Sequence, residues 1–121
     1  MSEDGDAPVL GHLGAFPDGA VTRLRVQAGG KTIGLVVLRQ CGALRAYLDL
    51  CPHQYLPLTW RGAGVLSADG TRIRCSVHGA EFAAEDGRAL AGVPEGCRLT
   101  PAPLEVAPDG TVRLAGVPTP L

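Results

Sequence analysis

The sequence predicts an all-β domain of antiparallel strands, and three observations carry that prediction. Seventeen Gly and ten Pro in 121 residues leave almost no place for a long helix. Apolar and β-branched runs recur at short intervals between turn signals, the pattern of an all-β chain. Neither an internal repeat nor a linker divides the sequence, and its length suits about one domain on the usual prior of roughly 100–200 residues.

The elements follow in order. Residues 1–17 are acidic and punctuated by Pro and Gly, which predicts a flexible N-terminal tail over 1–14 and a domain over 15–116, with a C-terminal tail over 117–121. Val21-Thr22-Arg23-Leu24-Arg25-Val26 alternates apolar and polar, a strand with one solvated face. Ala28-Gly29-Gly30-Lys31 turns the chain into a returning strand from Thr32 to Leu38, and Gln40-Cys41-Gly42-Ala43 turns it again into Leu44–Leu50. That third strand runs straight into Cys51. Val65-Leu66 and Arg72–Cys75 read as a hairpin around Asp69-Gly70, a strong turn pair. Leu104–Val106 and Thr111–Leu114 form a last hairpin around Asp109-Gly110.

Charge excludes several classes of function. Eleven Lys+Arg against twelve Asp+Glu gives a net charge of −1, without the basic surplus that nucleic acid requires. Lys31 is the only lysine, and no stretch is polybasic enough for an anionic membrane surface. A bilayer span of about 18 apolar residues is missing as well. Met1-Ser2-Glu3-Asp4-Gly5-Asp6 is acidic where a signal peptide needs positive charge, so the expected location is the cytoplasm. In that compartment four Cys are better read as metal ligands or free thiols than as a disulfide framework. No Ser/His/Asp grouping and no phosphate-cradling glycine loop is present.

Two motifs carry chemistry: Cys51-Pro52-His53 and Cys75-Ser76-Val77-His78-Gly79. Each pairs a thiol with an imidazole at the end of an expected strand, where loops on a rigid scaffold hold functional groups. Thiolate with imidazole suits zinc, copper or an iron–sulfur cluster rather than calcium or magnesium. Pro52 stiffens the first loop, and Gly79 lets the backbone turn past His78. A mononuclear zinc site is one reading, although zinc motifs usually pair Cys with Cys and His with His. Two unconnected Cys/His pairs are the bland one. Mixed pairs make most sense where two metals take different ligands, as in a [2Fe–2S] centre with two His on one iron.

At these residues the chain resembles the Rieske family, whose signature is Cys-x-His followed by Cys-x-x-His. Phe16-Pro17-Asp18-Gly19, Leu44–Leu50, His78-Gly79-Ala80-Glu81-Phe82, Gly87, Gly92-Val93-Pro94 and the hairpin around Asp109-Gly110 extend the likeness over about residues 15–116. The resemblance implies an antiparallel β-sandwich with a small cluster-binding subdomain, about residues 47–83. It implies one [2Fe–2S] cluster, with Cys51 and Cys75 on one iron and neutral His53 and His78 on the other. Tyr55 departs from a usual glycine in the first loop, and 21 residues separate His53 from Cys75, a long gap for the family. Leu56 and Val77 stand where the respiratory branch has a disulfide, and Ala80 and Phe82 replace its hydroxyl donors to the cluster.

The implied function is that of a soluble, monomeric one-electron carrier, such as the ferredoxin component of an oxygenase system. It would pass electrons from a flavin-dependent reductase to a terminal oxygenase. The alternative is a small Rieske subunit of a larger oxidoreductase, resembling the nitrite reductase small subunit, with a structural or regulatory role. Catalysis by this chain alone is not expected, since two of its three His are taken by the cluster. Replacing thiolates by neutral His raises the potential, and the missing hydroxyl donors lower it again. The expected value is near the lower end of a range of roughly −150 to +300 mV, falling at alkaline pH as His53 or His78 loses a proton. Of the other candidates, His12 reads as a solvated tail residue and Cys41 and Cys97 as small buried apolar groups. Trp60 reads as apolar packing beneath the first loop, and Arg72 and Arg74 as a solvated strand face.

Overall fold

The computed structural model describes residues 8–28, 30–40, 42–50, 58–59, 65–67, 69–75, 80–92 and 96–116. Among these it shows nine strands: β1 (Val9–His12), β2 (Val21–Ala28), β3 (Lys31–Gln40), β4 (Ala43–Leu48), β5 (Arg72–Arg74), β6 (Glu81–Ala83), β7 (Ala89–Ala91), β8 (Leu104–Val106) and β9 (Thr111–Leu114). All ladders are antiparallel and form three sheets, in the orders β1-β9-β8, β2-β3-β4 and β5-β6-β7.

The middle sheet is built as the alternation predicts. Val21 lies opposite Leu38 and Ala28 opposite Lys31, and Gly30 takes the positive φ of 78° that the connecting turn requires. Successive strand residues face opposite ways, so β3 divides its apolar side chains between two cores. Val36 and Leu38, with Tyr47 of β4, enter a core completed by Leu58, Val65, Ile73, Cys75, Phe82 and Leu99. Ile33, Leu35 and Val37, with Ala46, enter a second core against Phe16, Ala102, Val112 and Leu114. Leu35 to Leu38 is therefore an unbroken run at 0% exposure, because both faces of this sheet are covered. Each of these side chains contributes about 1.5–3 kcal/mol by leaving water.

The second hairpin is present as predicted, with Leu66 bridged to Ile73 and Gly70 at a φ of 76°. The Asp69 carboxylate accepts from Ser67 Oγ (2.7 Å), Thr71 N (3.0 Å) and Thr71 Oγ1 (2.8 Å), which pins the turn.

Two expectations are corrected. Residues 9–12, expected in the flexible tail, form β1 and pair with β9, so the ordered domain starts before residue 15. The physical reason is an edge to pair with and a core to fill, since Leu10 and Leu13 pack on the second core. The third strand ends at Leu48 rather than Leu50, where the chain leaves the sheet toward the first motif. Strands β6 and β7 were not foreseen, being three residues each and too short to show a period. Among the described residues, no helix is long and apolar enough to cross a membrane.

Candidate metal centre

Of the four expected ligands, Cys75 lies within the described residues; Cys51, His53 and His78 lie outside them, as do Tyr55, Trp60 and Cys41. Cys75 follows directly on β5 and is 1% exposed, enclosed by the first core. Its backbone N–H donates to the Ala80 carbonyl at 2.8 Å, so the chain that leaves at Cys75 and carries His78 returns at once beside it. Ala80 and Phe82 are buried in the same core, and Arg74 is paired in register with Glu81.

The ends of the first motif are held differently. Asp49 stands just past β4, its N–H bonded to the Gly34 carbonyl at 2.9 Å. Its carboxylate takes two bonds from one residue, Thr59 Oγ1 at 2.6 Å and Thr59 N at 3.1 Å. Arg23 Nη1 donates to the Thr59 carbonyl at 3.4 Å, while the neighbouring Leu58 is fully buried in the first core. Leu58, Cys75 and Ala80 thus belong to one core, which the chain beyond the first motif shares with both flanks of the second. The Asp49–Thr59 pair was missed at the sequence level, because neither its spacing nor its composition marks it out. An open polar cleft of about 780 Å³ beside it is lined by Arg23, Arg25, Thr32, Asp49 and Thr59.

The donor chemistry fits a cluster of the mixed type. Cys75 is free of any disulfide and shielded from water, as a thiolate ligand requires if it is not to be oxidised or exchanged. Two such thiols and two imidazoles are the set that a Rieske [2Fe–2S] centre uses. Cys97 is also a free thiol but only half-buried, which corrects its expected burial.

The remaining candidates are placed as follows. His12 is exposed, as expected, yet sits on β1 rather than in a tail. Its Nδ1 accepts from Gly14 N–H at 3.1 Å, which leaves Nε2–H to donate to the Asp109 carbonyl at 2.9 Å. Arg72 and Arg74 are exposed as predicted, and Arg72 meets Glu81 at 2.6 Å.

This geometry agrees with comparison to known proteins. The chain matches the Rieske [2Fe-2S] domain family over residues 8–103 and belongs to it. The cofactor of that family is a Rieske-type [2Fe–2S] cluster. No curated protein matches the chain in sequence. Among solved structures it is similar to the ferredoxin of carbazole 1,9a-dioxygenase from Nocardioides aromaticivorans IC177, at 20% identity and a TM-score of 0.71, over 92% of this chain and 98% of that one. It is similar also to a chain in a complex of reduced oxygenase and oxidized ferredoxin in carbazole 1,9a-dioxygenase, at 26% identity and a TM-score of 0.70, over 94% and 96% of the two chains. A third likeness, to a reduced complex between oxygenase and ferredoxin in the same system, spans 94% of this chain but 29% of that one, at 20% identity and a TM-score of 0.71. The all-β Rieske architecture expected from the sequence is therefore the fold of this chain.

Proposed function

We propose that this chain is a one-electron carrier of the ferredoxin type, with one [2Fe–2S] cluster held by Cys51, His53, Cys75 and His78. The observation that carries the reading is the family match over residues 8–103, which spans both motifs. When bound, the cluster accepts and returns a single electron. The chain's own part is to supply two thiolates and two neutral imidazoles, to bury the Cys75 thiol, and to seat Leu58, Cys75 and Ala80 beside the two motifs in one core.

The structural likeness to a ferredoxin that forms a complex with its oxygenase supports a terminal oxygenase as the downstream partner, and a flavin-dependent reductase is the upstream partner this reading adds. A cytoplasmic monomer fits this role. Among the described residues the large apolar side chains left exposed are Val9, Leu90 and Val106, on three different strands. So few do not make the patch of several hundred Å² that a permanent subunit contact exposes when its partner is absent.

The test is iron and zinc analysis together with visible and electron paramagnetic resonance spectra of the dithionite-reduced protein. About two irons per chain and a rhombic signal, with an average g value below that of four-Cys clusters, is the expected result. One zinc and no signal would overturn the reading.

A further inference from the structure

We propose that Asp49 is a positioning residue for the first ligand segment and acts through Thr59. The proposal rests on the reading that Cys51 and His53 are cluster ligands. Cys51 stands two residues beyond Asp49, so any movement of Asp49 passes to the ligand through only a few soft backbone dihedrals. The Asp49 backbone is itself fixed, through its N–H, to the Gly34 carbonyl of β3. Both carboxylate oxygens are then used on Thr59, one by the hydroxyl at 2.6 Å and one by the backbone N–H at 3.1 Å.

Thr59 is in turn the one buried polar residue among the described side chains, at 3% exposure. Arg23 of β2 reaches its carbonyl, and Leu58 beside it is locked into the first core. Asp49 is thereby tied to β3, and the Leu58–Thr59 pair to β2 and the first core. The second motif needs no such device. Between Cys75 and Ala80 the segment is short enough for one backbone hydrogen bond to close it. The first is longer, and closing a longer loop costs more entropy, so a side-chain clamp takes the place of the backbone bond.

The match between the partners is chemically complete, which explains why an acid stands here. Thr59 offers two donors, and a carboxylate offers two acceptors. An amide at position 49 would turn an NH₂ group toward one of those donors.

The experiment compares iron release to a chelator, and the resonance line shape, in holoprotein carrying Thr59→Val, Asp49→Asn, Thr59→Ser or Val112→Ala. Val112 is fully buried in the second core, away from the motifs, and reports destabilisation alone. Thr59→Val and Asp49→Asn should release iron about tenfold faster than Val112→Ala at an equal loss of Tm, the lower end of the effect of outer-shell partners on metal affinity. Both should broaden the signal, whereas Thr59→Ser should stay near wild type. Release that follows Tm alone across all four variants would overturn the clamp. Should Thr59→Val fail to fold, Asp49→Asn and Thr59→Ser decide between the two outcomes. Wild-type protein that takes up no iron would overturn the cluster reading itself, and with it the clamp.

Discussion

The Tyr47 hydroxyl donates to the Ala84 carbonyl at 2.8 Å, a buried bond that ties β4 of the middle sheet to the turn between β6 and β7. The two residues are 37 apart in sequence, Tyr47 on the strand that precedes the first motif and Ala84 in the turn that follows the second. Removing the hydroxyl leaves the carbonyl without this donor in a closed interior. Tyr47→Phe should therefore cost about 1–3 kcal/mol, the penalty of an unsatisfied buried group. A urea titration checks it: the midpoint should fall while the slope stays unchanged.

The same burial governs alkaline stability. Loss of solvent pushes the Tyr47 phenol up to about 12, with Arg45 pulling the other way. The fold thus favours the protonated form, and that preference has no effect below the unfolded value near 10. Above it the unfolded chain gives up its proton first, so stability should fall between pH 10 and 12 by up to about 1.4 kcal/mol per pH unit. Tyr47→Phe removes this group, and its denaturation midpoint should lose that part of the alkaline decline. Equal slopes for the two proteins over this window would refute the assignment.

Much of this architecture is legible in the sequence, and the reasons for the exceptions are physical. The β2–β3 hairpin shows because Val21–Val26 alternates ahead of a Gly turn and a returning apolar run, and the last hairpin shows through Asp109-Gly110. Strand β1 was hidden because its four residues carry a glycine and a bulge, and the edge it pairs with is β9, whose residues come 99 to 104 positions later. The candidate ligands were legible because thiol and imidazole at fixed spacing have few other uses. Asp49 and Thr59 were not, because a carboxylate ten residues from a threonine acquires meaning only when the intervening chain returns to it.

Gly87 should not accept a side chain. It holds a φ of +79°, and a Cβ there would lie 3.0 Å from Tyr47 Cε1 and 3.1 Å from the Leu99 side chain. Its carbonyl accepts from Leu99 N at 2.9 Å and its N–H donates to Ala83 at 2.7 Å, so the backbone cannot easily swing away. Gly87→Ala combines left-handed strain with crowding in the first core and should cost about 2–4 kcal/mol. Gly96→Ala, at a φ of +96° but with open space around its Cβ position, is the control that carries strain alone. Thermal unfolding of the two should show the larger loss for Gly87→Ala.

Asp69 gives the turn of the second hairpin an acid-sensitive lock. Hydrogen bonds from Ser67 and Thr71 hold its carboxyl down to about 2, against an ordinary 3.8. A depressed carboxyl stabilises the fold above its unfolded value, and the contribution disappears as pH falls from about 4 through 2. The Thr71 amide proton should report this directly, shifting over that window as its bond to Asp69 breaks. Asp69→Ala should abolish the shift and leave only a small change in stability at neutral pH, since the turn is exposed.

Cys75 separates a ligand from a packing residue more cleanly than any other position. At 1% exposure within an apolar core, its thiol is of the kind that commonly serves only as a small hydrophobe. Cys75→Ala preserves the backbone N–H bond to Ala80 and removes little more than the sulfur atom. A packing role predicts a loss of about 1–2 kcal/mol with full iron content, in proportion to the small cavity left behind. A ligand role predicts the same folded β-sheet spectrum, but loss of the visible bands and of the reduced-state resonance signal. Measured together, far-ultraviolet dichroism and iron content should give a folded chain that no longer retains iron.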